Sequence, residues 1–150
     1  KKKHTMKFFN TRFWLLASGT LFTVFPTIAA LSGSTVSGAP AYWASFGALS
    51  DRETAIAVVV ELAWGFHVLG LGLVILAIGL LATDPLRARL GVVAMVGFAL
   101  SQVLSVGTAA QFGYGGADAM GAFAIVVMGV PLLTLIACAV SWNKKTVSSE

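Results

Sequence analysis

The chain has few charged residues and almost no cysteine. Asp, Glu, Lys and Arg together make up 11% of its 150 residues, whereas 57% are hydrophobic. About a quarter of an average soluble domain is charged, so this composition excludes an ordinary water-soluble protein. The single cysteine, Cys138, cannot form an internal disulfide. It lies in a hydrophobic run without metal-ligand spacing, and we interpret it as a small core residue.

A nucleic-acid partner is also disfavoured, although the net charge is +4. The basic residues lie at the ends of the apolar segments and do not form one soluble basic face. This distribution is typical of a protein oriented in a lipid bilayer, which is the partner we expect.

Four apolar stretches are each long enough to cross a hydrocarbon core about 30 Å thick, which requires roughly 20 helical residues. They are residues 13–31, 54–82, 90–112 and 119–142. The sequence therefore predicts an all-α, single-domain integral membrane bundle of four spans. The connections are an outer loop at 32–50, an inner turn at 83–89, an outer loop at 113–118 and a tail at 143–150.

The distribution of charge predicts the topology. With four spans, nine of the ten basic residues fall on one side, and only Arg52 falls on the other. By the positive-inside rule, both termini and the middle turn are then cytoplasmic, as in a protein of the bacterial inner or plasma membrane type. Residues 1–32 also resemble a secretory signal, with basic residues before an apolar stretch. We interpret this segment as a retained first helix.

Helix-capping patterns support these boundaries. Ser50 and Glu53 fit a capping box that opens the second helix, and Asp84 followed by Pro85 fits a cap for the third. A close antiparallel hairpin of the second and third helices is the expected result. In the first outer loop, a Ser/Gly-rich stretch precedes Pro40, from which we expect a short interfacial helix carrying aromatic residues.

The most informative residue is Glu61, because a carboxylate inside a membrane span is costly unless it is paired, protonated or hydrated. At 100° per residue, Gly65, Gly72 and Gly79 lie on nearly the same helix face as Glu61. Small residues allow close helix packing, so this face is predicted to meet another helix of the protein.

The third span carries a matching stripe of small and hydroxyl-bearing residues, Gly97, Ser101, Ser105 and Thr108. Counting helical rise from the shared inner turn places Glu61 near the level of Thr108 and Gln111, and His67 near Gln102. We take these as the expected polar contacts. Both the stripes of small residues and these polar contacts predict that the second span packs against the third.

Glu61 and Trp64 are about 60° apart around the helix, and together they suggest a cation-binding site. The candidate ligand-binding residues are Glu61, Trp64, His67, Gln102, Thr108 and Gln111. A four-helix membrane protein with an intramembrane glutamate resembles the small multidrug transporters in that respect. Here, however, the acid lies in the second span, and the charge asymmetry disfavours dual topology.

No catalytic signature or metal site is complete in the sequence. One core histidine cannot supply a bis-histidine haem site, and one His, one misaligned Glu and a distant Cys do not form a zinc site. No Gly-x-Ser-x-Gly elbow occurs. The cofactor is not identified, and we expect a non-catalytic role.

Three functions are open at this point. The first choice is an accessory subunit that packs against other membrane-protein subunits or against copies of itself. The second is a small carrier or binder of hydrophobic or cationic ligands that uses Glu61. The third is a small membrane redox or enzyme component.

Overall fold

Among the residues that the computed structural model describes, four helices are long and apolar enough to cross a membrane. The structure describes residues 9–114 and 121–143. The chain order of the elements is α1 (Thr11–Leu31), α2 (Ser34–Tyr42), a 3-10 helix (Ala44–Phe46), α3 (Asp51–Leu81), α4 (Leu86–Gln111) and α5 (Phe123–Ser141). The predicted all-helical fold and its four long apolar helices are confirmed. Some predicted segments lie outside the described residues. They are most of the loop 113–118, the start of the fourth span, nearly all of the tail and the four N-terminal lysines.

Side-chain hydrogen bonds cap the N-termini of α1 and α3. The Asn10 side chain accepts a hydrogen bond from the Phe13 amide, 3.2 Å away, at the start of α1. Ser50 and Glu53 form the predicted capping box at the start of α3. These bonds satisfy amide groups that have no partner within the helix.

The predicted cap of α4 is wrong. Pro85 is the N-cap residue and provides no side-chain bond, and the helix begins at Leu86. Asp84 instead lies 3.8 Å from the guanidinium of Arg87, between Oδ2 and Nη1. Because the charge of Arg87 is one turn away, it competes with the backbone amides for the carboxylate.

The short helix of the first loop begins earlier than the sequence suggests. α2 starts at Ser34, includes the Ser/Gly-rich stretch and has Pro40 near its end. The Ser34 hydroxyl donates to the carbonyl of Ala29 at the end of α1, and Ala39 is completely buried. Burial of Ala39 and the hydrogen bond of Ser34 to α1 therefore outweigh the weak helix propensity of glycine and serine.

The closest helix packing joins α1 to α3, not α3 to α4 as predicted. A Cβ atom at Gly72 would lie 2.7 Å from the carbonyl carbon of Phe22, and one at Gly19 would lie 2.6 Å from Cγ of Leu76. Glycine on both helices lets the two backbones approach. The turn after α3 joins it to α4, but these two helices contact each other less than α1 and α3 do.

The core lies between α1, α3, α4 and α5. Its buried apolar residues are Leu15, Phe22, Ile75, Met95, Phe98 and Cys138. Between α1 and α5, the hydroxyls of Ser18 and Thr134 are 2.6 Å apart and fully buried. The core thus includes a satisfied polar contact that fixes the register of α1 against α5.

Candidate functional site

Glu61 is buried near one end of the bundle, which we call the Glu61 end. Its side chain extends from the third turn of α3, and the residue is 9% exposed. The opposite end, where α3 turns into α4, is called the turn end. Burying a carboxylate is costly unless hydrogen bonds or a cation compensate it, so its neighbours determine what the site can do.

Two aromatic donors share one oxygen of Glu61. The indole Nε1 of Trp43 lies 3.1 Å from Oε1, and the hydroxyl of Tyr114 lies 2.9 Å from the same atom. Both groups donate to the carboxylate. Within the described part of the chain, Oε2 accepts no hydrogen bond and no basic side chain forms an ion pair with Glu61.

The two donors come from separate loops that meet over the Glu61 end. The ring centroids of Trp43 and Tyr114 are 5.8 Å apart in an edge-to-face arrangement, and those of Tyr42 and Tyr114 are 6.5 Å apart. The Ser45 hydroxyl donates to the carbonyl of Gly113, which joins the 3-10 helix to the residues after α4. These contacts hold the aromatic rings beside the carboxylate.

Burial raises the pKa of the Tyr114 hydroxyl well above its ordinary value of 10.0, and the neighbouring Glu61 raises it further. A phenol in water near neutral pH already keeps its proton. In this site it remains a hydrogen-bond donor to Glu61 even in alkaline solution.

Two cavities meet at Glu61. The first, the α1-side cavity, has a volume of about 250 Å³ and lies against α1, where Pro26, Ala29 and Ala30 line it. The second, the α4-side cavity, has a volume of about 510 Å³ and is lined by Phe46, Val106 and Phe112, among others. The residues that line both are Glu61, Trp64, Gln102 and Tyr114.

Three of the six predicted ligand-binding residues, Glu61, Trp64 and Gln102, lie together at these cavities. The other three do not. Thr108 and Gln111 are exposed and form no hydrogen bond with Glu61, so their assignment as its polar partners is wrong. The count along two antiparallel helices assumed a tight α3–α4 pair, whereas α3 packs closely on α1.

His67 is exposed on α3, and the predicted bond to Gln102 is not formed within the described residues. Its ring lies instead 6.2 Å, between centroids, from that of Trp64. Because His67 is on a different face of α3 from Glu61, the two side chains do not form a dyad.

The predicted packing residues also separate into two groups. Gly65, Gly72 and Gly79 face α1, where added Cβ atoms would contact Pro26, Phe22 and Leu15. Gly97 is exposed with no atom within 4 Å of an added Cβ, and Ser101 and Ser105 are half-buried. The prediction that the α4 stripe packs against the glycines of α3 is therefore wrong.

Sequence reasoning did not identify Trp43 and Tyr114 as partners of Glu61. Both had a signal, since both are aromatic residues expected at the same membrane boundary as the first turns of α3. Their depth matches that of Glu61, but they lie in loops whose path the sequence does not predict.

No protein-family model, curated protein or solved structure matches the chain. The fold and the site therefore define only a class. Over residues 9–114 and 121–143 the chain forms an all-helical bundle with four helices of membrane-spanning length and apolarity, and with a buried carboxylate between two cavities.

Proposed function

We propose that this protein is an integral membrane protein that binds small hydrophobic organic cations at Glu61, as a carrier or a receptor. The observation on which this rests is a buried carboxylate that opens onto two largely apolar cavities and has no basic partner in the described chain. The accessory-subunit role, our first expectation from the sequence, becomes the second candidate.

Membrane insertion is supported by the outer surface of the bundle. Large apolar side chains are exposed along each long helix; for example, Val103 is 68% and Ile125 75% exposed. A soluble monomer rarely exposes continuous apolar surface on this scale, whereas lipid covers it at no cost. The predicted topology would then place the Glu61 end at the outer side of the bacterial inner or plasma membrane.

The chemistry of the site favours a cation over an anion or a neutral ligand. A carboxylate repels anions, and its free Oε2 can accept from an ammonium N–H or face a positive charge directly. Trp64 and Tyr114 line both cavities, and the faces of such rings attract organic cations. The apolar walls favour ligands whose charge is attached to a hydrophobic body.

Binding of benzyltrimethylammonium to the full chain in lipid nanodiscs tests this proposal. Truncating one member of a buried charge pair costs about 2–5 kcal/mol, so Glu61→Gln should weaken binding at least ~30-fold in calorimetry. Glu53→Gln removes an exposed acid from the same helix and should leave the affinity unchanged. Equal binding by the wild type and Glu61→Gln would refute the proposal.

Packing against another membrane protein is the second candidate function, and one face of α4 favours it. Gly97 has no neighbour within 4 Å of an added Cβ, and Val93, Val96 and Leu100 around it are exposed. A second helix could approach this face closely. Native mass spectrometry from gentle detergent would detect a dimer or a co-purifying subunit, and Gly97→Leu should dissociate it.

A further inference from the structure

We infer that the ligand is a secondary or tertiary ammonium with apolar groups on both sides of its nitrogen, one for each cavity. This inference rests on the proposed function and specifies its ligand class. It goes beyond cation binding because a single-sided amine, with its charge at one end, would also satisfy Glu61.

The first step concerns the acceptor. Oε1 of Glu61 already accepts hydrogen bonds from Trp43 and Tyr114, so Oε2 is the oxygen free to accept from a ligand. A secondary or tertiary ammonium has one or two N–H groups to donate. A primary ammonium has only one carbon substituent on its nitrogen, so it cannot carry one apolar group on each side of the charge.

The second step concerns the position of the carboxylate relative to the two cavities. Glu61 and Trp64 line both, whereas the remaining walls differ: Pro26 and Ala29 belong to the α1-side cavity, and Val106 and Phe112 to the α4-side cavity. The charged point is therefore at the junction, with apolar space on either side. A ligand that fills both cavities must carry its nitrogen in the middle.

The third step concerns size. An apolar cavity of about 150 Å³ holds one benzene ring. The α1-side cavity, at about 250 Å³, accommodates one ring with its linking methylene, and the α4-side cavity, at about 510 Å³, accommodates a larger group. A two-sided ligand thus buries a second ring that a one-sided ligand leaves outside.

Two isomeric tertiary amines separate these cases. Dibenzylmethylamine has one ring on each side of the nitrogen, and benzhydryldimethylamine has the same atoms with both rings on one branch. Calorimetry on the full chain in nanodiscs, with empty nanodiscs subtracted, should show roughly tenfold tighter binding of dibenzylmethylamine, because burial of one further ring is worth about that factor.

Cavity-filling variants locate the second ring. Ala29→Leu, and independently Ala30→Leu, should reduce the preference for dibenzylmethylamine to about one, since both positions line the α1-side cavity. Ala77→Leu places the same side chain at an exposed position of α3 that lines neither cavity, and it should keep the preference.

The outcomes distinguish the two proposals. Equal affinity for the isomers, or a preference that survives both filling variants, would overturn the two-sided ligand while Glu61-dependent binding upheld the cation site. If neither amine bound in a Glu61-dependent way, both proposals would fail.

Discussion

At the scale of single residues, the chemistry of the site is concentrated on Glu61 and its two aromatic donors. The acid was recognisable in the sequence because a carboxylate within an apolar span needs a compensating partner. Trp43 and Tyr114 are its partners, and each donates to Oε1. The carboxylate is thereby oriented with its second oxygen available, which is the basis of both proposals.

The raised pKa of Tyr114 predicts a specific response to alkali. Its phenol keeps a proton in the folded protein at pH values where the unfolded chain, with an ordinary pKa of 10.0, has lost it. The stability associated with this proton is complete below pH 10 and is lost as the pH rises through the folded value. Tyr114→Phe should therefore melt with a shallower decline than the wild type above pH 10.

Absorbance of tyrosinate near 295 nm provides a second measurement of the same group. The chain has two tyrosines, so the folded wild type and Tyr114→Phe should form equal amounts of tyrosinate up to about pH 11. More tyrosinate in the wild type over this range would show that Tyr114 is not held in its neutral form.

At the scale of helices, glycine determines which pair packs most closely. The glycine stripe on α3 packs against α1, which carries Gly19 opposite Leu76 of α3, and not against α4 as predicted. The glycines in the sequence show which face of a helix lacks bulky side chains and can be approached closely by another helix. They do not show which of several apolar helices meets that face.

Gly72→Ala tests this packing. The added methyl group would lie 2.7 Å from the Phe22 carbonyl carbon and 2.8 Å from the Thr23 amide, and backbone atoms cannot rotate away. Overpacking of this kind costs about 1–3 kcal/mol, so unfolding in mixed micelles should show a loss of that order.

The matched control is Gly70→Ala in the same helix, where an added Cβ meets nothing within 4 Å. Because alanine is the better helix former, this variant should be as stable as the wild type or up to about 1 kcal/mol more stable. An equal loss in the two variants would mean that the close approach of α1 does not account for the result at Gly72, because alanine is the better helix former and propensity alone would raise stability.

At the scale of the whole molecule, the apolar exterior and the charge asymmetry lead to one proposal, a bundle oriented across a membrane. All four long helices expose large apolar side chains, and the basic residues collect at the turn end and near both termini. Together these features predict that the Glu61 end is extracytoplasmic and that its cavities are reached from that side or from lipid.

Cysteine labelling in intact cells tests this orientation. In a Cys138→Ala background, Ala48→Cys at the Glu61 end should react with a membrane-impermeant maleimide. Thr83→Cys and Asn143→Cys, both exposed positions at the predicted cytoplasmic side, should react only after permeabilisation. Labelling of positions 83 and 143 on opposite sides of the membrane would contradict the topology.

The sequence by itself determined the properties that depend on local composition. These are the four long apolar helices, the capping box at Ser50, the glycine face of α3 and the placement of one carboxylate, Glu61, within an apolar helix. Each follows from residues within a few turns of one another, where propensity, helical periodicity and the cost of burying charge act directly.

Only the tertiary structure decided which elements meet. It paired α3 with α1, left Thr108, Gln111 and His67 outside the site, and brought Trp43 and Tyr114 from two loops onto one carboxylate oxygen. In an all-apolar bundle many helix pairings bury similar area. The choice among them depends on close backbone approach and on a few buried hydrogen bonds, which join residues far apart in the chain.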